Sequence, residues 1–434
     1  MSIINVLKFG GSSVSNNKNL KIVANKIIKI KKSGVNVVVV VSAQGKRTDE
    51  LIKQVEELNK VSRENQIINE KDNFLIDRAT LSYTKREIDS LLTIGEQESA
   101  SKLSILLNRM GYKSIALNAL QAGIFTNSDF GKAKIIDIDT ARILKELENN
   151  KIVIVTGFQG IDKEKNFTTL GRGGSDTSAV ALAIKLNAEK CYIFSDVDGV
   201  YNADPNIIKN AKKLKHISYS EMENASSEGA KVLCERSISL ADKYNMKIIA
   251  KSTFNDNEGT VISSSLINNN ERADTSSSIV NDNGMEHYNL EMCIKNDKLF
   301  KAEISDVSCE KLNNILNKIN KQNIKIKNLS MQSKNNVIFI LNEYFKDDIK
   351  NIFIDEKLKA EFTKISEISF IGTGISNNGE ILSSLYKTLE KSKYNIMNDV
   401  LNFEMHANVI SIFFNKIISN DVLNELIKWV NSFN

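Results

Sequence analysis

The segment Lys8-Phe9-Gly10-Gly11-Ser12-Ser13-Val14 follows an apolar run and sets a cation beside paired glycines. Paired glycines let a backbone turn sharply and present N–H groups to an anion. Lys8 adds a full positive charge. An ordinary glycine turn with a surface lysine would carry the same residues. A second segment, Thr168-Thr169-Leu170-Gly171-Arg172-Gly173-Gly174-Ser175-Asp176-Thr177-Ser178, runs into a helical pattern. Unpaired N–H groups and the helix dipole make such a start, at Gly173 and Gly174, attractive to a phosphate or another anion. Arg172 suits a carboxylate, which it can grip through two parallel hydrogen bonds. Ser175 and Asp176 also read as helix caps, and capping and anion binding coexist.

The third segment, Ser195-Asp196-Val197-Asp198-Gly199-Val200-Tyr201-Asn202-Ala203-Asp204-Pro205, follows a strand pattern. Its polar groups and Tyr201 suit a ribose and a flat base, and an Asp-rich turn is the plainer alternative. Its carboxylates lack the spacing and terminal Glu of a calcium-binding EF-hand loop. The fourth, Glu228-Gly229-Ala230-Lys231-Val232-Leu233, reads as a helix start with Lys231 near a phosphate. No G-x-x-x-x-G-K-[ST] loop occurs, and neither does the protein-kinase pair H-R-D and D-F-G. A nucleotide site here must be of another type.

These segments need strands and helices to hold them, and the pattern supplies both. Strands are expected at Ile3–Phe9, Val35–Val41, Lys113–Ala116, Ile152–Thr156, Cys191–Ser195 and Lys247–Ala250. Helices are expected at Lys18–Lys32, Glu96–Met110, Ser175–Leu186 and Glu228–Tyr244, with a polar helical stretch over about Asp49–Asp89. This alternation predicts an α/β fold with an open, mainly parallel sheet sandwiched by helices, and open sheets of this kind bind ligands where strands end. The stretch Ser263–Gly284 is rich in Ser, Asn and Asp and reads as a linker. After it a β-α-β-β order occurs twice. The first copy is Leu299–Ile304, Glu310–Lys321, Ile324–Leu329 and Asn336–Leu341. The second is Ile365–Ile371, Glu380–Ser392, Asn402–Met405 and Val409–Phe414, with a last helix over about Val422–Trp429. A duplicated small α+β module follows from that order. The expected domains are residues 1–265, a linker over 266–286, and paired modules over 287–434.

Bulk composition bounds the function classes. The 434 residues exceed one ordinary core, and 41% hydrophobic with 26% charged residues fits a soluble globular chain. The net charge of +5 is spread along the sequence, without the basic stripe and interleaved aromatics of a nucleic-acid surface. Four cysteines and three histidines lie far apart, so no Cys/His metal site is expected, and scattered cysteines suit a reducing, cytoplasmic setting. Met1–Gly10 lacks signal-peptide features, and the most apolar run, Val35–Val41, is too short to span a bilayer.

Together the segments resemble the amino-acid kinase family, and the aspartokinases in particular. Lys-Phe-Gly-Gly-Ser-Ser-Val looks like their N-terminal signature, with Ser12 where Thr is usual. Ser42-Ala43-Gln44-Gly45 through Thr48-Asp49 resembles their second loop, and Gly95-Glu96 their substrate-binding pair. Gly157-Phe158-Gln159-Gly160, the Thr-Leu-Gly-Arg-Gly-Gly-Ser-Asp run, Asp-Val-Asp-Gly-Val-Tyr and Glu-Gly-Ala-Lys follow in the family's order. The terminal modules look like tandem ferredoxin-like ACT domains. The resemblance implies transfer of the γ-phosphoryl group of ATP, with Mg²⁺ and no tightly bound organic cofactor, to the side-chain carboxylate of aspartate. Lys8 would contact the moving phosphate, with Gly10, Gly11 and Ser12 around it. Ser42, Thr48, Glu96, Phe158, Arg172 and Ser175 would surround aspartate. Asp176 would hold the catalytic lysine. Ser195, Asp196, Tyr201 and Lys231 would bind the nucleotide.

It further implies a homodimer or dimer of dimers through the ACT modules, with lysine or threonine as effector. A kinase of another small acid, or an inactive amino-acid sensor, is the alternative. Two departures stand out. Asn206 replaces an arginine common after Pro205, with Lys209 the next cation, and Lys327 replaces a common acidic residue, where it would repel an effector's ammonium. A carboxylate acceptor is ionised at neutral pH and is already a nucleophile, so no general base is required. The difficulty is repulsion: two unit charges about 4 Å apart cost about 4 kcal/mol at an effective dielectric near 20. Positive charge and positioning are therefore what such a site must supply.

Overall fold

The computed structural model describes residues 3–66, 78–230, 232–264, 289–322, 324–333, 336–375, 379–391, 399–406 and 408–433. Contacts divide the chain into two compact units. The first comprises residues 1–200, 213–226 and 231–271, and the second residues 201–212, 227–230 and 272–434.

The first unit runs β1 (Ile4–Phe9), α1 (Asn17–Lys31), β2 (Asn36–Val41), α2 (Arg47–Gln66), α3 (Arg78–Leu92), α4 (Ile94–Arg109), β3 (Ser114–Leu117), β4 (Ile124–Thr126), β5 (Ile135–Ile138), α5 (Ala141–Glu148), β6 (Ile152–Thr156), β7 (Gln159–Ile161), β8 (Phe167–Thr169), α6 (Gly174–Lys185), β9 (Lys190–Ser195), β10 (His216–Ser218), α7 (Tyr219–Ser227), α8 (Glu235–Lys243), β11 (Ile248–Ser252) and β12 (Thr260–Ser263). Its main sheet has the order β10-β12-β11-β9-β1-β2-β6-β3. All neighbours are parallel except β11 and β12.

Five consecutive valines, Val37–Val41, fill β2 and are fully buried, as a parallel strand covered on both faces demands. Helix α1 starts at Asn16, whose side chain accepts from the Asn19 N–H at 2.9 Å. Its Leu20, Val23, Ala24, Ile27 and Ile28 recur at helical spacing and pack with Leu103 and Leu107 of α4 against one sheet face. Helix α6, with Ala179, Val180, Leu182 and Ala183 buried, packs on β1, β2 and β9. Register fixes the site. Phe9 pairs with Val41 and Phe194, Val41 with Thr156, and Phe194 with Lys251, so five parallel strands end along one edge.

One expectation needed correction here. The sequence suggested a single helix over Glu228–Tyr244. Instead α7 ends at Ser227 and α8 begins at Glu235, because Gly229 at φ 112° turns the chain out of helical geometry. Glu228 is therefore not at a helix start, and Lys231 lies outside the described residues. The region after Leu117, to which the sequence pattern assigned only the strand Ile152–Thr156 before the glycine-rich segment, also forms a second sheet, β5-β4-β7-β8, whose strands of three or four residues are too short to show a period.

The second unit runs β13 (Asn289–Ile304), α9 (Cys309–Lys321), β14 (Ile326–Ser333), β15 (Asn336–Asn342), α10 (Lys346–Asp355), β16 (Ala360–Thr373), α11 (Gly379–Lys391), β17 (Val400–His406), β18 (Val409–Phe414) and α12 (Asn420–Asn431). Its antiparallel sheet has the order β14-β15-β13-β16-β18-β17, two like halves joined where β13 pairs with β16. Each module is β-α-β-β-α, so the first carries a helix, α10, that the pattern did not disclose. Each half has its own core. One gathers Phe300, Ile315, Phe339 and Phe353, the other Phe370, Leu385, Ile412 and Trp429. The expected linker over 266–286 and part of the helical stretch 49–89 lie outside the described residues.

Candidate active site

The C-terminal edge of the parallel sheet gathers most of the chemistry-bearing loops. Lys8 is the penultimate residue of β1, and its side chain rises past the strand end. Its Nζ lies 2.6 Å from Asp176 Oδ1 in the first turn of α6, with both side chains about one-eighth exposed (12% and 13%). A Cβ on Gly10 would stand 3.5 Å from that Nζ, so the amine overlies the glycine turn. Asp176 suits its place near the positive end of the helix dipole. Beneath the pair lies Cys191 of β9, whose thiol is pushed well up by burial and by the Asp176 charge.

The hydrogen-bond ladder continues past the strands into the loops. Ser42 N donates to Phe9 O at 3.1 Å, Gly45 N to Gly11 O at 3.0 Å, Gly157 N to Val41 O at 3.0 Å, and Thr253 N to Ser195 O at 2.8 Å. A Cβ on Gly11 would meet the Ala43 carbonyl oxygen at 2.8 Å, so only glycine lets these two loops close. Ser12 is exposed and Ser13 buried, and the Ser13 hydroxyl is hydrogen-bonded at 2.6 Å to that of Thr253. Ser42 is half-buried beyond β2. Thr48 is half-buried in the first turn of α2.

Glu96 lies in the first turn of α4 and is 3% exposed. The Ala43 N–H donates to its Oε1 at 3.0 Å, while Oε2 is buried with no hydrogen-bond partner in another residue. Burial pushes the carboxyl up to about 7 despite that bond. A buried carboxylate oxygen with its acceptor capacity unused is a place where an ammonium donor fits.

On the facing side, Phe158 adopts φ 68°, donates its N–H to Ser178 Oγ at 3.2 Å and accepts from Leu170 N at 2.8 Å. A Cβ on Gly157 would lie 2.8 Å from Ser175 Oγ, which places Ser175 directly over the end of β6. Arg172 is exposed between Gly171 (φ 78°) and Gly173 (φ 71°). Ser195 sits at the end of β9, where its Oγ accepts from Val197 N at 3.1 Å, and Asp196 is exposed.

The structure thus brings together Lys8, Gly10, Gly11, Ser42, Glu96, Phe158, Ser175 and Asp176 around the ends of β1, β2 and β6, at the entry to α4 and the start of α6. Gly173 and Gly174 lead into that same helix start. Ser12, Thr48, Arg172, Ser195 and Asp196 occupy the loops beside them. Tyr201 belongs to the second unit, and Lys231 lies outside the described residues. Sequence reasoning missed Asp89, Arg236 and Thr253. Asp89 and Arg236 sit on helices where a carboxylate or guanidinium reads as ordinary surface, and Thr253 follows a short strand. Among the described residues no three His, Cys, Asp or Glu side chains gather as a protein-built metal site would need, and no helix is long and apolar enough to cross a membrane.

Residues 4–252 match the amino acid kinase family. The aspartokinase of a Bacillus species is 46% identical over 257 residues, which is 59% of this chain and 57% of that protein, so this match spans less than two thirds of the relative's length. The aspartokinase of Helicobacter pylori is 35% identical over 397 residues, covering 90% of this chain and 91% of that protein. E. coli aspartokinase III, solved in complex with aspartate and ADP, superposes with a TM-score of 0.70 at 19% identity, covering 98% of this chain and 99% of that one. The aspartate kinase of Clostridium acetobutylicum superposes with a TM-score of 0.68 at 20% identity, covering 99% and 100%. The superpositions establish the fold, including the paired ferredoxin-like modules. The match across both full lengths settles membership: the chain belongs to the amino acid kinase family and, within it, to the aspartokinases.

Proposed function

We propose that this protein is an ATP-dependent aspartate kinase, making 4-phospho-L-aspartate for the synthesis of lysine, threonine, methionine and diaminopimelate. The observation that carries the reading is the Lys8–Asp176 pair, held between the end of β1 and the start of α6 beside glycine backbone. An oxygen of the aspartate side-chain carboxylate attacks the γ-phosphorus, the bond from that phosphorus to the β-phosphate oxygen breaks, and ADP leaves with the electron pair. No proton moves. Catalysis reduces to bringing two anions together, and fixed positive groups do that best in a partly dehydrated cleft.

Lys8 carries the charge that meets the transferring phosphoryl group, and Asp176 fixes its direction. Gly11, Ser12 and Gly173 offer backbone amides, Gly10 and Gly174 let the phosphates approach the backbone closely, and Lys231 offers a further cation. Magnesium enters with ATP, held mainly by phosphate oxygens and water. Arg172 grips the α-carboxylate of aspartate, Glu96 receives its ammonium, and Ser42, Thr48, Phe158 and Ser175 close the pocket. Ser195, Asp196 and Tyr201 serve the nucleotide. Residues 1–265 form the catalytic domain, 266–286 a linker and 287–434 the tandem ACT modules. Through these modules the chain forms dimers and responds to lysine or threonine in the cytoplasm.

ADP release by the purified chain, assayed with aspartate, glutamate, acetylglutamate and no acid, tests the reading. Release dependent on aspartate and at least tenfold weaker with the other acids is expected. Equal rates across the panel would reject aspartate as substrate, and no release with any acid would reject the kinase.

A further inference from the structure

Arg172 stands on a turn whose following side is held to α6, Gly174 N donating to Gly171 O at 3.0 Å and Thr177 N to Gly173 O at 3.1 Å. Gly171 and Gly173 on either side of it are both left-handed, and glycine is the residue with most backbone freedom to lose. The direction of an exposed arginine on such a turn also depends on how the chain just before it is held. Two charged side chains outside every recognised motif, one buried and one half-buried, do this. Asp89, at 1% exposure, accepts from Thr169 N at 2.7 Å, from Thr169 Oγ1 at 2.9 Å and from Gly131 N at 2.8 Å. Arg236, in the first turn of α8, donates through Nη1 to Leu170 O at 3.1 Å and through Nη2 to Ala133 O at 3.0 Å.

The acid and the base therefore grip the same two strips of chain, residues 131–133 and 169–170. Those strips are also bonded to each other, Ala133 N to Thr169 O at 2.8 Å, and a Cβ on Gly171 would stand 3.1 Å from Gly131 O. Burial raises the Asp89 carboxyl and lowers the Arg236 guanidinium from their ordinary values, so both charges sit where desolvation is costly.

We infer that Asp89 and Arg236 are positioning residues that brace the Thr169–Leu170 strip and thereby aim Arg172 at the α-carboxylate of the amino-acid substrate. The inference rests on the kinase reading for its activity arm. Displacing a positioning group by about 1 Å costs up to about a hundredfold in rate or affinity. Asp89→Ala removes the three bonds to Gly131 and Thr169. Arg236→Lys cannot reach both carbonyls.

The test measures KM for aspartate and for ATP, together with amide hydrogen exchange over residues 166–174, in the full-length single and double variants. The expected result is at least a tenfold rise in KM for aspartate in each single variant. KM for ATP stays within about twofold, exchange over residues 166–174 is faster, and the double variant is no worse than about the weaker single. A parallel rise of both KM values, or unchanged exchange, overturns the inference. Thr169→Val, which removes only the hydroxyl bond to Asp89, replaces Asp89→Ala if that variant does not fold and should raise KM for aspartate about threefold. A wild-type chain with no aspartate-dependent turnover would fail the kinase reading alone, and the exchange arm would still decide the brace.

Discussion

Lys8 Nζ and Asp176 Oδ1 lie 2.6 Å apart, one at a strand end and the other in the first turn of a helix more than 160 residues later in the chain. The pair is directional. Asp176 is held by its helix, so the lysine is drawn across the glycine turn and not out to solvent. Each partner neutralises the other in a place where either alone would be a poorly solvated charge.

Lys8→Ala should lower turnover by at least about 100- to 1000-fold, the usual loss when one preorganised donor is removed from a transition state. It also leaves Asp176 without its cation, so some loss of stability is expected alongside. Asp176→Ala separates the two effects, because it frees the lysine without deleting it and should cost less turnover. Turnover of Lys8→Ala near that of the unaltered protein, with circular dichroism showing an intact fold, would exclude the lysine from the reaction.

Glu96 gives a pH-dependent prediction. Burial raises its carboxyl to about 7, so near neutrality it is partly protonated in the free protein. Pairing with a substrate ammonium requires the ionised form. Affinity for aspartate should therefore rise with pH up to about 7 and level off above it, falling by up to tenfold per unit below. Glu96→Gln should flatten this dependence, and Glu96→Ala should raise KM for aspartate far more than KM for ATP. The same raised value means that folding stability from this group is present at low pH and is lost as pH rises from about 4.5 through about 7. A pH-independent KM for aspartate between pH 6 and 8 in the unaltered protein would remove Glu96 from contact with the ammonium.

Much of this site was legible because it is built from consecutive residues at strand ends. The run of valines in β2 is a buried strand whatever surrounds it, and Lys8-Phe9-Gly10-Gly11 announces an anion-facing turn. Sequence could not show that Gly11 packs on Ala43, or that Glu96 reaches the same loop with one oxygen left over. Those are contacts between elements, set by register and not by local pattern. Asp89 and Arg236 were invisible for the same reason: each is a charged residue on a helix, and only the fold turns it inward. The helix expected across Glu228–Tyr244 failed at Gly229, where one backbone angle outweighed the helical propensity on both sides.

Lys327 illustrates the same limit in the paired terminal modules. Its type suggests repulsion of an effector's ammonium, yet its Nζ sits 2.8 Å from Glu228 Oε2 and 3.2 Å from Glu367 Oε1. The positive charge is already answered by the Glu228 carboxylate, with the Glu367 carboxyl beside it. Lysine or threonine at millimolar concentration, alone or together, should therefore lower turnover severalfold in the full-length chain. Identical rates with and without both amino acids would remove feedback control.

The cluster around Lys327 also predicts a stability profile. Glu367 is fully buried, and Glu228 accepts from the Ser369 hydroxyl at 2.6 Å. Two carboxylates and one ammonium leave a net negative charge unless one acid keeps its proton. Burial, then the neighbouring Glu228, push Glu367 up to about 8, whereas the lysine and Ser369 hold Glu228 below its ordinary value against its own burial. The proton therefore resides mainly on Glu367, and the pair titrates as a unit. Because the folded value of Glu367 is raised, its contribution is complete below about 4.5 and is lost as pH climbs through about 8. Glu228 works in the opposite sense and loses its contribution as pH falls below about 4.5. The urea midpoint of the full-length protein should fall between pH 5 and pH 8.5, with the cluster supplying on the order of 2 kcal/mol of the difference. Glu367→Gln, which imitates the protonated acid, should abolish that share and leave the protein relatively more stable at pH 8.5. The same decline in both proteins would show that Glu367 is ionised throughout and that the proton lies elsewhere.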